Sequence, residues 1–330
     1  MKKTLITLTL TSITTVTYAA ITTPAVNGGD GTNEVYTTEG ASIFLGGRAE
    51  FRGDFIGTDS GEKIDGTMDD RSRARINIGG VSQISDSLSA FGFYEAEQAT
   101  DDSNLNQRYA YVGLAGRYGA FTFGKQNTAN VQLSDMSDIG TYTGDQKAFI
   151  AAGNEQETNN ISYIGEFDSL RVQASYIAGE EEDTDGYGLS AIYSLPFGLD
   201  LGLGYTGADQ DQSQITAGAS YMNGGFYTGL TYTTGDTANA YSGNTDNFDG
   251  VELSAQYLFD NQFRIIGAYQ NQQTDGDDTA NFLELTGGYD LNKHVYAYLS
   301  YKFNQLDDNN SIISHQDTED SMRLGLKYTF

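Results

Sequence analysis

The feature that most limits what this chain can become is a period-two alternation in which charged residues sit directly between apolar ones. Between residues 41 and 56, Ile43, Leu45, Gly47, Ala49, Phe51 and Phe55 fall on one face of an extended strand, and Arg48, Glu50, Arg52 and Asp54 fall on the other. Extended backbone sends successive side chains to opposite sides. One face must therefore meet an apolar medium while the other meets water. The same alternation recurs at Leu170–Tyr176, Leu199–Tyr205, Val251–Tyr257 and Val295–Tyr301, where the apolar face ends in tyrosine. A ring that is apolar with a hydroxyl at its tip suits a membrane interface. A soluble β-sandwich with tyrosine at its strand ends is the plainer reading, but few sandwiches need so many long strands.

The alternation predicts sixteen strands, near 41–56, 71–82, 87–97, 105–115, 119–126, 158–165, 169–178, 187–195, 198–206, 214–222, 225–234, 249–258, 262–271, 280–290, 293–303 and 321–330. Most can supply the roughly 9–11 tilted residues that cross a bilayer. An open sheet in lipid would leave unpaired backbone groups, so such a sheet has to close. An even strand count puts both termini on one side. The connections also alternate. Short turn-forming sets (194–197, 222–225, 258–261, 290–293) are separated by longer polar segments such as 233–249 and 304–320. Turns of that kind draw on Gly, Asn, Asp and Pro. The expected fold is all-β: a 16-stranded antiparallel transmembrane β-barrel with short periplasmic turns and long extracellular loops.

Export is written at the N-terminus. Met1-Lys2-Lys3 is a positive start, Thr4 to Thr17 is uncharged and moderately apolar, and Tyr18-Ala19-Ala20 offers small residues for cleavage. That is the pattern of a secretory signal peptide over 1–20, cut after Ala19 or Ala20. A lead-in segment over 21–40 and a barrel domain over 41–330 would follow. The formal charge is −27, with 45 acidic and 18 basic residues. Nucleic acid is excluded as a partner, because phosphates need Lys and Arg. Much of the acid lies in the longer connections, at Glu180–Asp185, Asp275–Asp278, Asp307-Asp308 and Asp317–Asp320. These clusters offer hard oxygens. A divalent cation bridging the acidic loops, or bridging loops to lipopolysaccharide, is the sharper reading, and solvated acidic loops the plainer one. An enzyme is not expected. There is no Cys, and His294 and His315 fit no triad or zinc pattern. No cofactor is expected.

Several phrases carry a family resemblance. Glu34-Val35-Tyr36 followed by Gly40, Arg73-Ala74-Arg75-Ile76-Asn77-Ile78-Gly79-Gly80, Arg108–Leu114 and Gly119–Lys125 occur in order, and the chain ends Leu324-Gly325-Leu326-Lys327-Tyr328-Thr329-Phe330. In these the chain resembles the general porins of Gram-negative bacteria, over nearly all of its length beyond the signal. The resemblance implies a homotrimer in the cell outer membrane, among outer-membrane lipid and lipopolysaccharide. Phe330 would be the assembly signal, read through the C-terminal strand by the barrel-assembly machinery. It also implies a third loop, here 126–157, folded inward to narrow the pore. Arg48, Arg75 and Arg108 match the family's basic wall, and Arg73 shares the face of Arg75. Glu50 and Glu95 are expected as lumen acids. The family's loop motif, Pro-Glu, an aromatic and Gly-Gly-Asp, is replaced by Gly140-Thr141-Tyr142-Thr143-Gly144-Asp145. Asp135, Asp138 and Asp145 are the acids expected to stand in for it. A further arginine that the family often carries on strand six is missing at Gln156-Glu157-Thr158.

The expected function is a water-filled, cation-preferring channel for passive diffusion of small hydrophilic solutes and ions. Two rivals are a substrate-specific channel, for sugars for example, hinted at by inward Phe91, Phe93, Tyr296 and Tyr298, and a barrel-based adhesin or surface receptor. Local ion pairing, such as Arg52 with Glu50 or Asp54, is the plainer role for the arginines.

Overall fold

The computed structural model describes residues 33–57, 63–239, 243–306 and 318–330. The expected signal peptide over 1–20, the first part of the expected lead-in, His315 and the acids at 307–308 and 317 lie outside these residues. The strands run β1 (Asn33–Thr38), β2 (Ala41–Ile56), β3 (Asp69–Asp70), β4 (Arg73–Ser85), β5 (Leu88–Ala99), β6 (Asn106–Gly116), β7 (Gly119–Gln126), β8 (Glu157–Phe167), β9 (Leu170–Ile177), β10 (Gly186–Ser194), β11 (Leu199–Ala208), β12 (Gln212–Asn223), β13 (Phe226–Ala238), β14 (Thr245–Leu258), β15 (Phe263–Thr274), β16 (Asp277–Asn292), β17 (Val295–Asn304) and β18 (Ser321–Thr329).

Sixteen of these, β2 and β4 to β18, pair antiparallel in chain order. The ring closes where β18 pairs with β2, for example Leu326 opposite Phe51. Closure leaves no edge to solvate, which is what a sheet in lipid requires. The short β1 runs back along the start of β2 (Thr37 opposite Ser42), so the lead-in contributes a strand. β3 adds two residues beside Gly53 and Asp54.

Burial is inverted relative to a soluble protein. Outward Leu189 and Leu203 are 58% and 62% exposed, whereas inward Thr231, Glu252 and Thr286 are 0% exposed. Aromatic residues mark both rims, with Tyr187 against Tyr205 near one and Tyr257 against Phe259 near the other. Apolar outside and polar inside is the pattern of a membrane barrel.

One rim carries tight turns, such as Asp86-Ser87, Asp168-Ser169 and Gly224-Gly225. Gly224 takes a φ of +61°, a conformation glycine adopts without a Cβ penalty. On the other rim the lengths are less uniform than the sequence suggests. The ladder of β13 and β14 continues to Ala238 opposite Thr245, so most of 233–249 is strand. Likewise β15 and β16 pair up to Thr274 opposite Asp277, and the acidic Asp275–Asp278 segment is a tight hairpin. Above the membrane both faces of a strand are wet, so the ladder persists while the apolar signal disappears.

Candidate pore constriction

The first four barrel strands, β2 and β4 to β6, put seven ionisable side chains on one patch of the inner wall. In-register neighbours are Arg48 with Arg75, Glu50 with Arg73, and Arg75 with Glu97. Adjacent arginines would repel across the ladder. The interleaved glutamates prevent this. Arg73 donates to Glu50 at 3.0 Å, and Arg48 lies 3.7 Å from the same carboxylate. Arg75 donates to Glu97. Arg108 donates to Glu95 at 3.0 Å and is 3.9 Å from Glu97. The Tyr298 hydroxyl, reaching from β17, donates to Glu50 at 2.9 Å.

Arg108 does not reach this patch by simple alternation. The β5–β6 register slips between Glu95 and Ala96, which pair with Tyr109 and Gln107, so Arg108 is the extra residue of a bulge. A bulge re-aims side chains. Here Arg108 meets Glu95 while Tyr109, its chain neighbour, is also buried and donates to Asn127 at 3.0 Å.

The chain between β7 and β8, residues 127–156, lies against the inner face of the opposite wall. It contains α1 (Val131–Ser134) and two 3-10 turns, Asp145–Lys147 and Ala151–Gly153. Leu133 and Met136 pack with Ile192 of β10. The neighbouring strands make room with inward glycines. A Cβ on Gly204 would come 2.7 Å from Leu133, one on Gly218 2.6 Å from the Met136 sulfur, and one on Gly229 would overlap the Met136 carbonyl.

Polar wall groups then bind the loop backbone. Tyr227 donates to the Met136 carbonyl, and Ser254 to that of Ser137, both at 2.6 Å. Glu252 accepts from the Ser137 hydroxyl (2.7 Å) and the Gly144 N–H (2.8 Å). Glu284 accepts from the Thr141 and Tyr142 N–H groups at 2.8 and 3.0 Å. Carboxylates holding backbone N–H groups are among the stronger hydrogen bonds available.

The structure separates the residues singled out from sequence. Arg48, Arg73, Arg75, Arg108, Glu50 and Glu95 come together on the arginine wall. Asp135, Asp138 and Asp145 are on the loop. Asp135 is exposed, Asp138 accepts from Lys147 at 3.3 Å, and Asp145 is 3.5 Å from the Gln270 amide. Phe330 exchanges backbone hydrogen bonds with Gly47 at 3.0 and 3.1 Å, continuing the β18–β2 seam. Arg52, expected beside Glu50 or Asp54, donates to the Thr141 carbonyl at 3.2 Å. Glu50 holds Arg73 and Asp54 holds Arg323.

Sequence reasoning did not single out Glu97, Lys147, Glu155, Glu252, Glu284 or Arg323 as site residues. Lys147 is 3.9 Å from Glu155 as well as bound to Asp138, so the loop carries its own ion pairs. The inward glycines of β11 to β13 were the available signal, since glycine within a strand marks a close approach.

At the loop rim, Tyr176 and the Gly179 N–H hold the Asp185 carboxyl below its ordinary range. The Asn104 N–H does the same for Asp102. Both stay ionised at neutral pH. Among the described residues no group of three or more His, Cys, Asp or Glu side chains is arranged to hold a metal ion.

Comparison with known proteins gives one consistent result. Residues 8–309 match the profile of the Gram-negative porin family. Outer membrane protein U of Vibrio parahaemolyticus is 35% identical over 100% of both chains. Porin-like protein L of Photobacterium profundum is 32% identical, over 90% of this chain and 94% of its own. Among solved structures, Salmonella typhi OmpF in complex with daunomycin superposes with a TM-score of 0.78 at 21% identity, covering 90% of this chain and 100% of that one. A loop L8 deletion mutant of Vibrio cholerae OmpT gives a TM-score of 0.72 at 15% identity, covering 88% of this chain and 100% of that one.

Proposed function

The chain belongs to the Gram-negative porin family, and from that premise we propose that its lumen is a cation-preferring channel for small hydrophilic solutes, narrowed by the loop between β7 and β8. Porins are passive channels of the outer membrane, not enzymes.

One observation carries the reading. The wall's four arginines, Arg48, Arg73, Arg75 and Arg108, are interleaved with three glutamates, Glu50, Glu95 and Glu97. The wall is therefore close to neutral. The loop facing it brings Asp135, Asp138, Asp145 and Glu155 against a single Lys147. The balance at this level is negative, and the acidic rim adds to it. Fixed charge of one sign raises the local concentration of counter-ions. Negative charge on the loop and a balanced wall opposite make the field asymmetric across the lumen, and a dipolar solute turns in it as it passes.

Homotrimer formation, contact with lipopolysaccharide through the acidic loops with bridging divalent cations, delivery by a signal over residues 1–20, and recognition of Phe330 during assembly complete the proposal. They rest on family resemblance and on the acidic rim. The sugar-channel reading is less favoured. Phe93 packs against Tyr109 and Tyr111, Phe91 against Ala115 and Ala120, and Tyr298 is committed to Glu50, so these aromatics serve the wall. The adhesin reading requires a barrel that does not conduct. The test is the zero-current potential of the purified protein in a planar bilayer under a potassium chloride gradient. A cation-selective sign is expected. An anion-selective sign, or no conductance, defeats the proposal.

A further inference from the structure

The tip of the constriction loop ends at the seam where the barrel closes, and one buried cation receives it there. Arg323 of β18 is 0% exposed. Its Nε and Nη2 donate to the two oxygens of Asp54 on β2 at 2.8 and 3.0 Å. Its Nη1 donates to the Thr141 carbonyl at 2.6 Å, and its guanidinium lies 4.0 Å from the centre of the Tyr142 ring. The Tyr142 hydroxyl meets Ser321 of the same strand at 3.0 Å, and Arg52 donates to the same Thr141 carbonyl at 3.2 Å. The β18–β2 register slips beside this pair, between Met322 and Arg323, so the two side chains sit at a bulge in the seam.

The chemistry makes pair and loop depend on each other. A guanidinium has five N–H donors in a fixed fork. A carboxylate satisfies two of them. In a fully buried site a remaining donor without an acceptor is costly, and a buried ion pair is stable only when such groups are met. Three donors remain, and the Thr141 carbonyl, which belongs to the loop, accepts one of them through Nη1. Asp54 neutralises the charge, so Arg323 adds little to the field in the lumen. A cavity of about 360 Å³ borders the tip, lined in part by Arg52, Thr141, Tyr142, Phe282 and Lys302. A tip freed from its clamp has space to move into.

We propose that Arg323, oriented by Asp54, is a positioning residue of the pore: it pins the loop tip to the barrel seam and so sets the bore without setting the selectivity. This rests on the channel reading above. The test is planar-bilayer recording of the full-length protein carrying Arg323→Met with Asp54→Leu, which removes a neutral pair and leaves net charge unchanged. Bore and field then separate. A roughly 1.5- to 2-fold rise in single-channel conductance with noisier open currents is expected, because conduction follows bore, while the zero-current potential keeps its wild-type value.

Tyr142→Leu leaves the ion pair in place and loosens only the loop. It should raise current noise in the same way, and it carries the test if the double variant does not assemble. Wild-type conductance and noise in whichever of these variants assembles would overturn the proposal. A shifted zero-current potential with unchanged conductance would also overturn it, by making the pair part of the field. Absence of any channel in the wild-type protein would strike the channel reading instead.

Discussion

The two facing walls of the lumen carry the same residue types and use them differently. On β4 to β6, Glu95 and Glu97 bind arginine side chains. On β14 and β16, Glu252 and Glu284 bind backbone N–H groups of the loop. The first pair cancels charge and the second holds structure. An inward carboxylate in a barrel is therefore not by itself a selectivity determinant. What it binds decides whether it acts on ions or on the bore.

The largest expected effect breaks the structural wall. Gly229→Leu would drive a side chain into the Met136 carbonyl and push the loop into the lumen. Single-channel conductance should fall by about half or more, since the bore limits flow. Conductance equal to wild type would mean that the loop does not rest on that wall in the membrane.

The next effect unmasks the arginines. Glu95→Gln with Glu97→Gln leaves Arg75 and Arg108 without their carboxylate partners. The zero-current potential should move strongly toward anion preference, and should move more than for Glu252→Gln with Glu284→Gln. Equal shifts would erase the distinction between the walls.

A smaller shift of opposite sign is expected for Arg75→Ser, which removes one positive charge and leaves Glu97 partly uncompensated. Cation preference should increase. No change would place Arg75 outside the constriction. The mildest perturbation is salt. The Debye length falls from about 10 Å at 0.1 M to about 3 Å at 1 M, so the preference should weaken as bath salt rises. A preference independent of salt would point to bore chemistry rather than field.

The strands were almost fully legible, because lipid on one side and water on the other force alternation. The span 41–56 and the span 119–126 match β2 and β7 to the residue. Legibility failed where that asymmetry ends. β14 starts at Thr245 and not 249, and β16 at Asp277 and not 280, because above the membrane a polar ladder has no apolar face to display. Arg48 and Arg75 alternate with outward residues as the strands require, whereas Arg108 points inward through a bulge that alternation does not reveal, so only the family resemblance pointed to it.

The loop's anchors were not legible. Glu252 and Glu284 are more than a hundred residues from the N–H groups they hold. Only the unfilled inward positions, Gly204, Gly218 and Gly229, hinted that something would pack there.

The central claim is that the arginine wall balances itself, so the loop decides the sign of the pore. Neutralising the loop with Asp135→Asn, Asp138→Asn and Glu155→Gln tests this directly in the zero-current potential under a salt gradient. The account predicts that cation preference collapses toward zero or reverses. A triple variant as cation-selective as the wild type would contradict it.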